Sequence, residues 1–568
     1  MRSHAGRRAR EFMGREAELR KIADLLRDGV QMITLIGPGG VGKTTLAERA
    51  LDEHSGVPKA EVYWSRLADV ARGSDIESVA AHVLRSIPGA PCSGPPADAE
   101  LVRILRATPG ERVVLVLDSC EHVLTGVSSL VAQLIDSVPA LTIIATSREN
   151  VGWVDEYLVA VPPLSTPDAV EVLRRRAERI GRPLRDDPAA HSVASRICHA
   201  VDNNPLFVRL AAARLQHLPP AGVLNELTGA DDDRRLRWPR SPVAGTDPRH
   251  RGIRDAIAWS YQLCDISERA LLERMSVFAT GVPEAAEVPR TVGFGVEPAA
   301  VAAVCSGDGA LAVDQVPGLL ERLADKSLVG MCITATAVRY HLTGSVRLFA
   351  WERLNSAGPE RANRLRRRHR RYYRDGLRAV RDTGKGPDGR DGMPWVRAAL
   401  GEIISAVETG LSAAAEAMVG LEIATTLLSV LSSAERTAAD LVAAASWAES
   451  TSALAAGDYE LARASFRQFA LDHAHPGGEC AVPALPPPPW SRWDELTPAE
   501  TEVALLAAAG WANREIAVRR GASVRTVDAQ LAAVRHKLMI ASRGEIARHV
   551  PGEITPRMRH ESSTRLRA

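Results

Sequence analysis

Gly37-Pro38-Gly39-Gly40-Val41-Gly42-Lys43-Thr44 fits the G-x-x-x-x-G-K-[ST] pattern at every position, and the residues around it decide what it is. Met32-Ile33-Thr34-Leu35-Ile36 leads in as a buried strand, and Thr45-Leu46-Ala47-Glu48-Arg49-Ala50-Leu51 leads out as a helix. The glycines let the backbone bend so that successive N–H groups face one anion. The helix adds its positive N-terminal end. Lys43 then reaches the β- and γ-phosphates, and Thr44 offers a hydroxyl to Mg²⁺. This reading assigns nucleotide contact to Gly37, Gly39, Gly40, Val41, Gly42, Lys43, Thr44 and Thr45, with ATP or ADP and Mg²⁺ as the expected ligands. The alternative is a glycine-rich turn that happens to carry a lysine; it does not account for strand, loop and helix in register.

Working outward, residues 11–165 alternate apolar strands with helical stretches, which implies βαβ units and a mostly parallel sheet. Glu61-Val62-Tyr63-Trp64, Val113-Val114-Leu115-Val116-Leu117 and Leu141-Thr142-Ile143-Ile144-Ala145 are the further strands. Ligands on such sheets sit at the carboxyl ends of strands, where Lys43, Asp118 and Arg148 all fall. Asp118 ends an apolar strand and is the expected partner of Mg²⁺ or its water. Glu121 either orients an attacking water or is a surface carboxylate at a helix start. Arg148, in Thr146-Ser147-Arg148, either reaches the γ-phosphate and reports its presence or makes a loop salt bridge.

The chain has 568 residues, enough for about three to five domains. Its formal charge of +2 points to neither nucleic acid nor a membrane. Seven cysteines are scattered without a C-x-x-C pair, so neither a disulfide framework nor a zinc site is indicated. Met1 to Arg10 is basic, but no apolar segment follows to make a signal peptide. No run approaches the ~18 apolar residues of a membrane span. A cytoplasmic protein without membrane contact is expected.

Beyond the first region the pattern turns helical over 166–227, and 228–252 reads as a polar loop. Helical segments with few strand signals continue to about 470. The arginine-dense stretch Arg361 to Arg374 either binds nucleic acid or nucleotide phosphate or is the solvated face of a helix. Residues 475–493, with Pro486-Pro487-Pro488-Pro489, form a semi-rigid linker, so a separate module follows.

In that module Thr497-Pro498-Ala499-Glu500 is a capping box with Pro at the first helical position. Asn513 caps a second short helix and Ser523 a third. Val524, Val527, Leu531, Val534 and Leu538 are spaced 3, 4, 3, 4 and form one buried stripe. The opposite face presents Arg525, Asp528, Ala529, Ala532 and Arg535. Such a plan is helix-turn-helix, with the third helix in the major groove and a fourth helix from Ser542 to about Val550. The alternative is a degenerate helical unit used for dimerisation.

Phe12-Met13-Gly14-Arg15-Glu16, the phosphate loop, Leu117-Asp118-Ser119-Cys120-Glu121-His122 and Ala145-Thr146-Ser147-Arg148-Glu149 resemble the STAND-class signalling ATPases. They are closer still to the bacterial ATP-binding LuxR-family regulators related to the NB-ARC group. The resemblance continues through Pro205-Leu206, Asp247-Pro248-Arg249-His250, Ala258-Trp259-Ser260-Tyr261, Ser276-Val277-Phe278-Ala279, Asp325-Lys326-Ser327-Leu328 and Arg339-Tyr340-His341-Leu342, covering about 11–360. It implies a nucleotide-binding α/β domain (11–165), a helical lid and loop (166–250) and a winged-helix domain (251–360). By the same resemblance Gly14 and Arg15 lie near the adenine or ribose, Pro205 contacts the base, and His341 senses the β-phosphate. A shortened tetratricopeptide-like region (361–474) is suggested by Ser446-Trp447-Ala448 and Ala456 to Ala462. Two departures stand out: Ser119 where the family has Asn, and Asn203-Asn204 where it has Gly-Leu.

Residues 494–555 resemble the LuxR-type helix-turn-helix over their whole length, through Leu496-Thr497-Pro498, Asn513-Arg514-Glu515-Ile516-Ala517, Ser523, Arg525-Thr526-Val527 and Lys537-Leu538. The resemblance assigns DNA contact to Arg514, Ser523, Arg525, Thr526, Asp528, Ala529, Ala532 and Lys537. Asp528 stands where the family carries a basic residue; it repels phosphate, though it can accept from a cytosine amino group. Together these readings imply a multidomain chain: an α/β P-loop NTPase domain, all-α lid, winged-helix and helical regions, and a four-helix helix-turn-helix. The implied function is an ATP-dependent switch on promoter DNA, an activator by family. Slow hydrolysis would act as a timer, self-association would follow ATP binding, and the inducer is not identified. The rivals are an ATP-regulated scaffold whose helix-turn-helix no longer binds DNA, and a small-molecule kinase, for which no substrate-pocket motif is present.

Overall fold

The computed structural model describes residues 12–53, 61–91, 96–108, 112–228, 233–238, 251–279, 295–307, 311–333, 337–387, 389–411 and 416–434, and within 496–550 residues 496–509, 511, 513–520, 522–523, 526–527, 530–531, 533–534, 537, 546 and 550. It falls into two units, Met1–His475 and Pro476–Ala568.

The first unit opens with α1 (Glu16–Arg27), β1 (Met32–Ile36), α2 (Lys43–Glu53), β2 (Glu61–Arg66), α3 (Ile76–Ser86), α4 (Ala97–Ala107), β3 (Val113–Asp118), α5 (Leu124–Ser137), β4 (Leu141–Ser147) and β5 (Tyr157–Ala160). The five strands form one parallel sheet in the order β2-β3-β4-β1-β5. Every residue of β3 and β4 is buried, because helices cover both faces; hence their unbroken apolar sequences. One face packs Met32, Leu101, Leu115 and Ile143 with α3, α4 and α5. The other packs Ile33, Leu46, Val116 and Ile144 with α1 and α2. Register sets Ile36 beside Ser147 and Asp118 beside Thr146. The phosphate loop, Asp118 and Arg148 therefore leave the sheet at one edge.

Next come α6 (Thr166–Arg179), α7 (Pro188–Ala200), α8 (Pro205–Arg214) and α9 (Pro220–Thr228). Ser165, Asp187 and Asn204 cap the first three of these with side-chain bonds, and a proline stands at the first or second position of each, pre-set for helical φ. Then follow α10 (Ile253–Leu263), α11 (Ile266–Met275), α12 (Pro298–Cys305), α13 (Val316–Asp325), the antiparallel hairpin β6 (Gly330–Ile333) and β7 (Val338–His341), and α14 (Gly344–Ser356). Asp265 and Glu268 close a capping box on α11. Three further helices, α15 (Pro359–Thr383), α16 (Gly392–Leu411) and α17 (Ala417–Ala434), pack on one another and on α12 and α14. One hydrophobic core runs from Leu164 through Phe207, Leu272 and Leu320 to Val430, so everything after β5 is joined by continuous burial.

One expectation changes here and another gains detail. The described part of 228–252 is not a free polar loop. Arg235 is buried, bonded to Asp233 and to the carbonyls of Ala200 and Leu227, and Trp238 donates to Glu226. The arginines of α15 are largely at the surface, with Arg364, Arg367 and Arg371 exposed and only Arg370 buried among the arginines from Arg361 to Arg374, but several are partnered. Arg367 and Arg370 pair with Glu416, and Arg378 pairs with Glu422. Arg368 donates to the carbonyl of Ser306, and Arg366 lies 4.0 Å over the Trp351 ring. Composition shows the charge but not the carboxylates that a later helix brings to it. Asp247-Pro248-Arg249-His250, the tetratricopeptide-like fragment and the proline linker lie outside the described residues.

In the second unit α18 (Pro498–Ala508) carries the expected capping box, and α19 (Asn513–Arg520) follows. Helical residues resume at Thr526 and recur through Lys537. Val527, Leu531 and Val534 share a core with Leu506, Trp511, Ile516 and Ile546, as the 3, 4 spacing requires; Val524 and Leu538 lie outside the described residues. Among the described residues no helix is long and apolar enough to cross a membrane.

Candidate functional site

Thr44 is the second residue of α2, and its hydroxyl donates to Asp118 Oδ1 at 2.7 Å. Thr146, beside Asp118 on the next strand, donates to the same oxygen at 2.6 Å and accepts from the Ser119 N–H. Thus a hydroxyl and a carboxylate separated by 74 residues meet at the carboxyl edge of the sheet, an all-oxygen pair of the kind Mg²⁺ takes. Lys43 Nζ donates to the carbonyls of Gly37 and Pro38 at 2.6 and 3.1 Å, so the ammonium lies over the mouth of the loop. At Gly42, where φ is +100°, a Cβ would meet nothing within 4 Å. The loop is open on that side, which fits an anionic occupant. Val41 is buried, and Thr45 lies in the first turn of α2.

Neighbours close on the loop from two other sides. A Cβ on Gly39 would come within 2.6 Å of the Arg148 guanidinium, and one on Gly40 within 2.6 Å of Leu206 Cβ. Only glycine at both positions allows such approach. Arg148 is buried. Its guanidinium pairs with Glu121 at 3.4 Å and donates to the Ala256 carbonyl at 3.1 Å and to the Ser260 hydroxyl, both on α10. Glu121 is buried as well, not a surface carboxylate, and accepts from the Trp259 indole at 3.2 Å. His122 meets Trp259 edge to face at 5.7 Å. Ser327 donates to the Arg148 carbonyl at 2.9 Å. Lys326 spans Glu268 at 3.0 Å and Glu149 at 4.0 Å. Burial alone would lower the Lys326 ammonium, but the Glu268 bond and the two carboxylate charges raise it.

Gly14 and Arg15 lie on a further side. Both take left-handed backbone, with φ of +65° and +75°. A Cβ on Gly14 would strike Asp168 of α6 at 2.6 Å. Arg15 donates to the Val41 carbonyl at 3.3 Å and pairs with Glu18, while burial pushes its guanidinium down. Pro205 opens α8 immediately after Asn204, whose side chain donates to the Gly39 carbonyl at 3.0 Å. His341 ends β7 against the Gly330 backbone, and burial lowers its pKa.

Sequence reasoning had Asn204 only as a departure and gave Ser260 and Trp259 no role. An Asn before Pro is a capping signal. Nothing local could have said that its other edge meets a loop 165 residues away.

In the second unit Ser523 accepts from the Thr526 N–H at 3.0 Å, and their hydroxyls lie 2.8 Å apart, capping the third helical segment. Arg520 joins three helical segments through Glu502 and Gln530, at 3.2 and 2.7 Å. Lys537 pairs with Glu500 Oε2 at 2.6 Å, so its ammonium braces the first helix. Arg525, Asp528, Ala529 and Ala532 lie outside the described residues, as does the Arg514 side chain.

Comparison with known proteins agrees with this division. Residues 11–145 match the AAA ATPase domain, and residues 494–550 match the bacterial regulatory proteins of the luxR family. An uncharacterised protein of Mycobacterium tuberculosis is 32% identical over 372 residues, which is 65% of this chain and 87% of that one. A second M. tuberculosis protein, provisionally named an HTH-type transcriptional regulator, is 33% identical over 348 residues; the match spans 60% of this chain and 36% of that longer one. Among solved structures, the Pyrococcus horikoshii STAND protein with a tetratricopeptide repeat sensor is 14% identical, covering 97% of this chain and 82% of that one at a TM-score of 0.26. The Aeropyrum pernix ORC1 protein in complex with DNA is 15% identical over 60% of this chain and 93% of that one, at 0.30. Both are loose likenesses.

Proposed function

The chain belongs to the ATP-binding luxR-family transcriptional regulators, and on that premise we propose that it is an ATP-dependent switch whose nucleotide state governs binding to promoter DNA. Lys43 and the loop amides would hold the phosphates, and Thr44 with Asp118 would hold Mg²⁺. When bound, a γ-phosphate supplies a concentrated negative charge next to Arg148.

The observation that carries the reading is Arg148. One guanidinium lies against Gly39 of the loop and bonds Ala256 and Ser260 of α10. A charge change at the loop therefore acts on a group that also fastens the downstream helical body. Arg148 would exchange its Glu121 and α10 partners for phosphate, which would loosen α10 from the nucleotide domain. Glu121, no longer paired with Arg148, would then orient water, and slow hydrolysis would reset the switch. To move such an equilibrium almost fully, one state must be preferred by about 5.5 kcal/mol. The released state would self-associate and bring paired helix-turn-helix units to adjacent half-sites, as an activator. The inducing ligand or protein acts upstream of this step.

A second reading, an ATP-regulated scaffold that ignores DNA, is favoured by Asp528 and by the shortened sensor region read from the sequence. Selection from random duplexes by the full chain, loaded separately with ATP and ADP, decides between them. Enrichment of one sequence with ATP and its loss with ADP is expected. Enrichment in neither state favours the scaffold, and equal enrichment in both removes the switch.

A further inference from the structure

We infer that Asn204 is a positioning residue for the nucleotide site: a lid side chain that fixes the peptide planes of the phosphate loop. The inference rests on the nucleotide-binding reading of that loop. Asn204 is buried, and its two amide ends face different elements. Oδ1 accepts from the Leu206 N–H at 3.0 Å and caps α8. Nδ2 donates to the Gly39 carbonyl at 3.0 Å. One residue along, the Leu206 N–H also donates to the Gly40 carbonyl at 3.2 Å. In a trans peptide the carbonyl and the next N–H point in opposite directions. Fastening the Gly39 and Gly40 carbonyls from the lid side therefore turns the Gly40 and Val41 N–H groups away from the lid. The Gly40 N–H belongs to the anion-facing set of such a loop, while the Val41 N–H closes a turn on the Pro38 carbonyl at 3.4 Å. With glycine at 39 and 40 the peptide planes are otherwise cheap to rotate, so the fastening matters most here.

The strap that carries Asn204 is tied at its other end too. Asp202 accepts from the N–H groups of Gly344 and Ser345 at 2.9 and 3.2 Å, at the start of α14. Asn203 donates to Thr166 at 3.2 Å. Asp202 and Asn203 both hold positive φ, 59° and 49°, a conformation Asn and Asp tolerate better than other non-glycine residues. Asn203 can therefore stand where the family has glycine, while Asn204 adds a donor that the family's leucine lacks.

Asn204→Ser tests this in the full chain, because serine keeps an N-cap acceptor but is too short to reach Gly39. Fluorescent ADP and ATP are titrated, their release is followed by stopped flow, and the melting point without nucleotide is recorded. The clasp predicts affinity about tenfold weaker, carried mainly by faster release, with the melting point of the ligand-free protein close to the parent's. Asn204→Leu, losing cap and clasp, gives the same affinity loss plus a lower melting point. Affinity within twofold of the parent's in Asn204→Ser overturns the clasp. So does a loss of affinity that comes with a matching fall in melting point, which would leave Asn204 a cap only. If the parent itself takes up no adenine nucleotide, the nucleotide reading of the loop fails instead.

Discussion

The phosphate-loop centre and the C-terminal unit are both built on sequence motifs, but they are assembled differently. At the loop, Thr44 meets Asp118 across 74 residues, Arg148 meets Ala256 across 108, and Asn204 meets Gly39 across 165. In the C-terminal unit the spans are shorter: three residues for Thr497 with Glu500 and for Ser523 with Thr526, 18 for Arg520 with Glu502 and 37 for Lys537 with Glu500. A site assembled over long range can report on how three regions are arranged, whereas a unit assembled locally can be carried as a cartridge. On the proposed reading, chemistry coupled to shape would lie at the first, and recognition at the second.

The largest expected effect tests the first half of that contrast. Lys43→Ala removes the ammonium that faces the loop mouth, and nucleotide affinity should fall by at least about a hundredfold in equilibrium binding, since charge-assisted bonds to phosphate are the strong ones. The fold should survive, because the Lys43 ammonium bonds the carbonyls of Gly37 and Pro38 within its own loop. Unchanged affinity would move the nucleotide site elsewhere.

Next is Arg148→Ala. It leaves the buried Glu121 without its guanidinium and cuts two bonds to α10. Breaking a buried ion pair costs about 3–5 kcal/mol, so the melting point should drop by several degrees. Amide exchange should rise first in 253–263. A uniform rise over the whole chain would mean that Arg148 supports the fold generally and does not join two bodies.

How much of this was legible follows the same division. β1, β3 and β4 could be read because strands buried on both faces leave continuous apolar runs. β5 was missed; its four residues alternate in exposure at a sheet edge. The loop, Asp118 and Arg148 were legible one by one, each at the end of a strand. The partners of Arg148 on α10 were not, because nothing in the order of residues says which later helix returns to a given strand end. The same blindness hid Glu416 and Glu422 from the arginines of α15. The Thr497 and Ser523 caps were readable because each bonds a residue three positions on, and Val527, Leu531 and Val534 are buried as their spacing requires.

A smaller effect tests the recognition half. Arg525→Ala should weaken DNA binding about tenfold in gel shifts while ATP affinity holds. Asp528→Lys should strengthen it severalfold and steepen the salt dependence by about one phosphate. A flat response in both would take the third helix out of the groove and favour the scaffold reading.

The smallest effect is a pH dependence confined to the cartridge. The Lys537 ammonium, and then the Thr497 backbone N–H, hold the Glu500 carboxyl below the ordinary glutamate range. A depressed carboxylate stabilises the fold above its unfolded pKa of about 4.3, and that contribution is lost as pH falls through the lower folded value. Exchange protection in 498–508, corrected for intrinsic rates, should therefore fall off below about pH 4. Lys537→Met should flatten that fall and cost under about 1 kcal/mol at neutral pH, as expected for a partly exposed pair. The same variant also divides two roles for one ammonium. If Lys537 only braces Glu500, the salt dependence of DNA binding stays put; if it also meets a phosphate, the slope drops by about one. An unaltered acid profile in Lys537→Met would mean that the first helix is held by its capping box and apolar core alone.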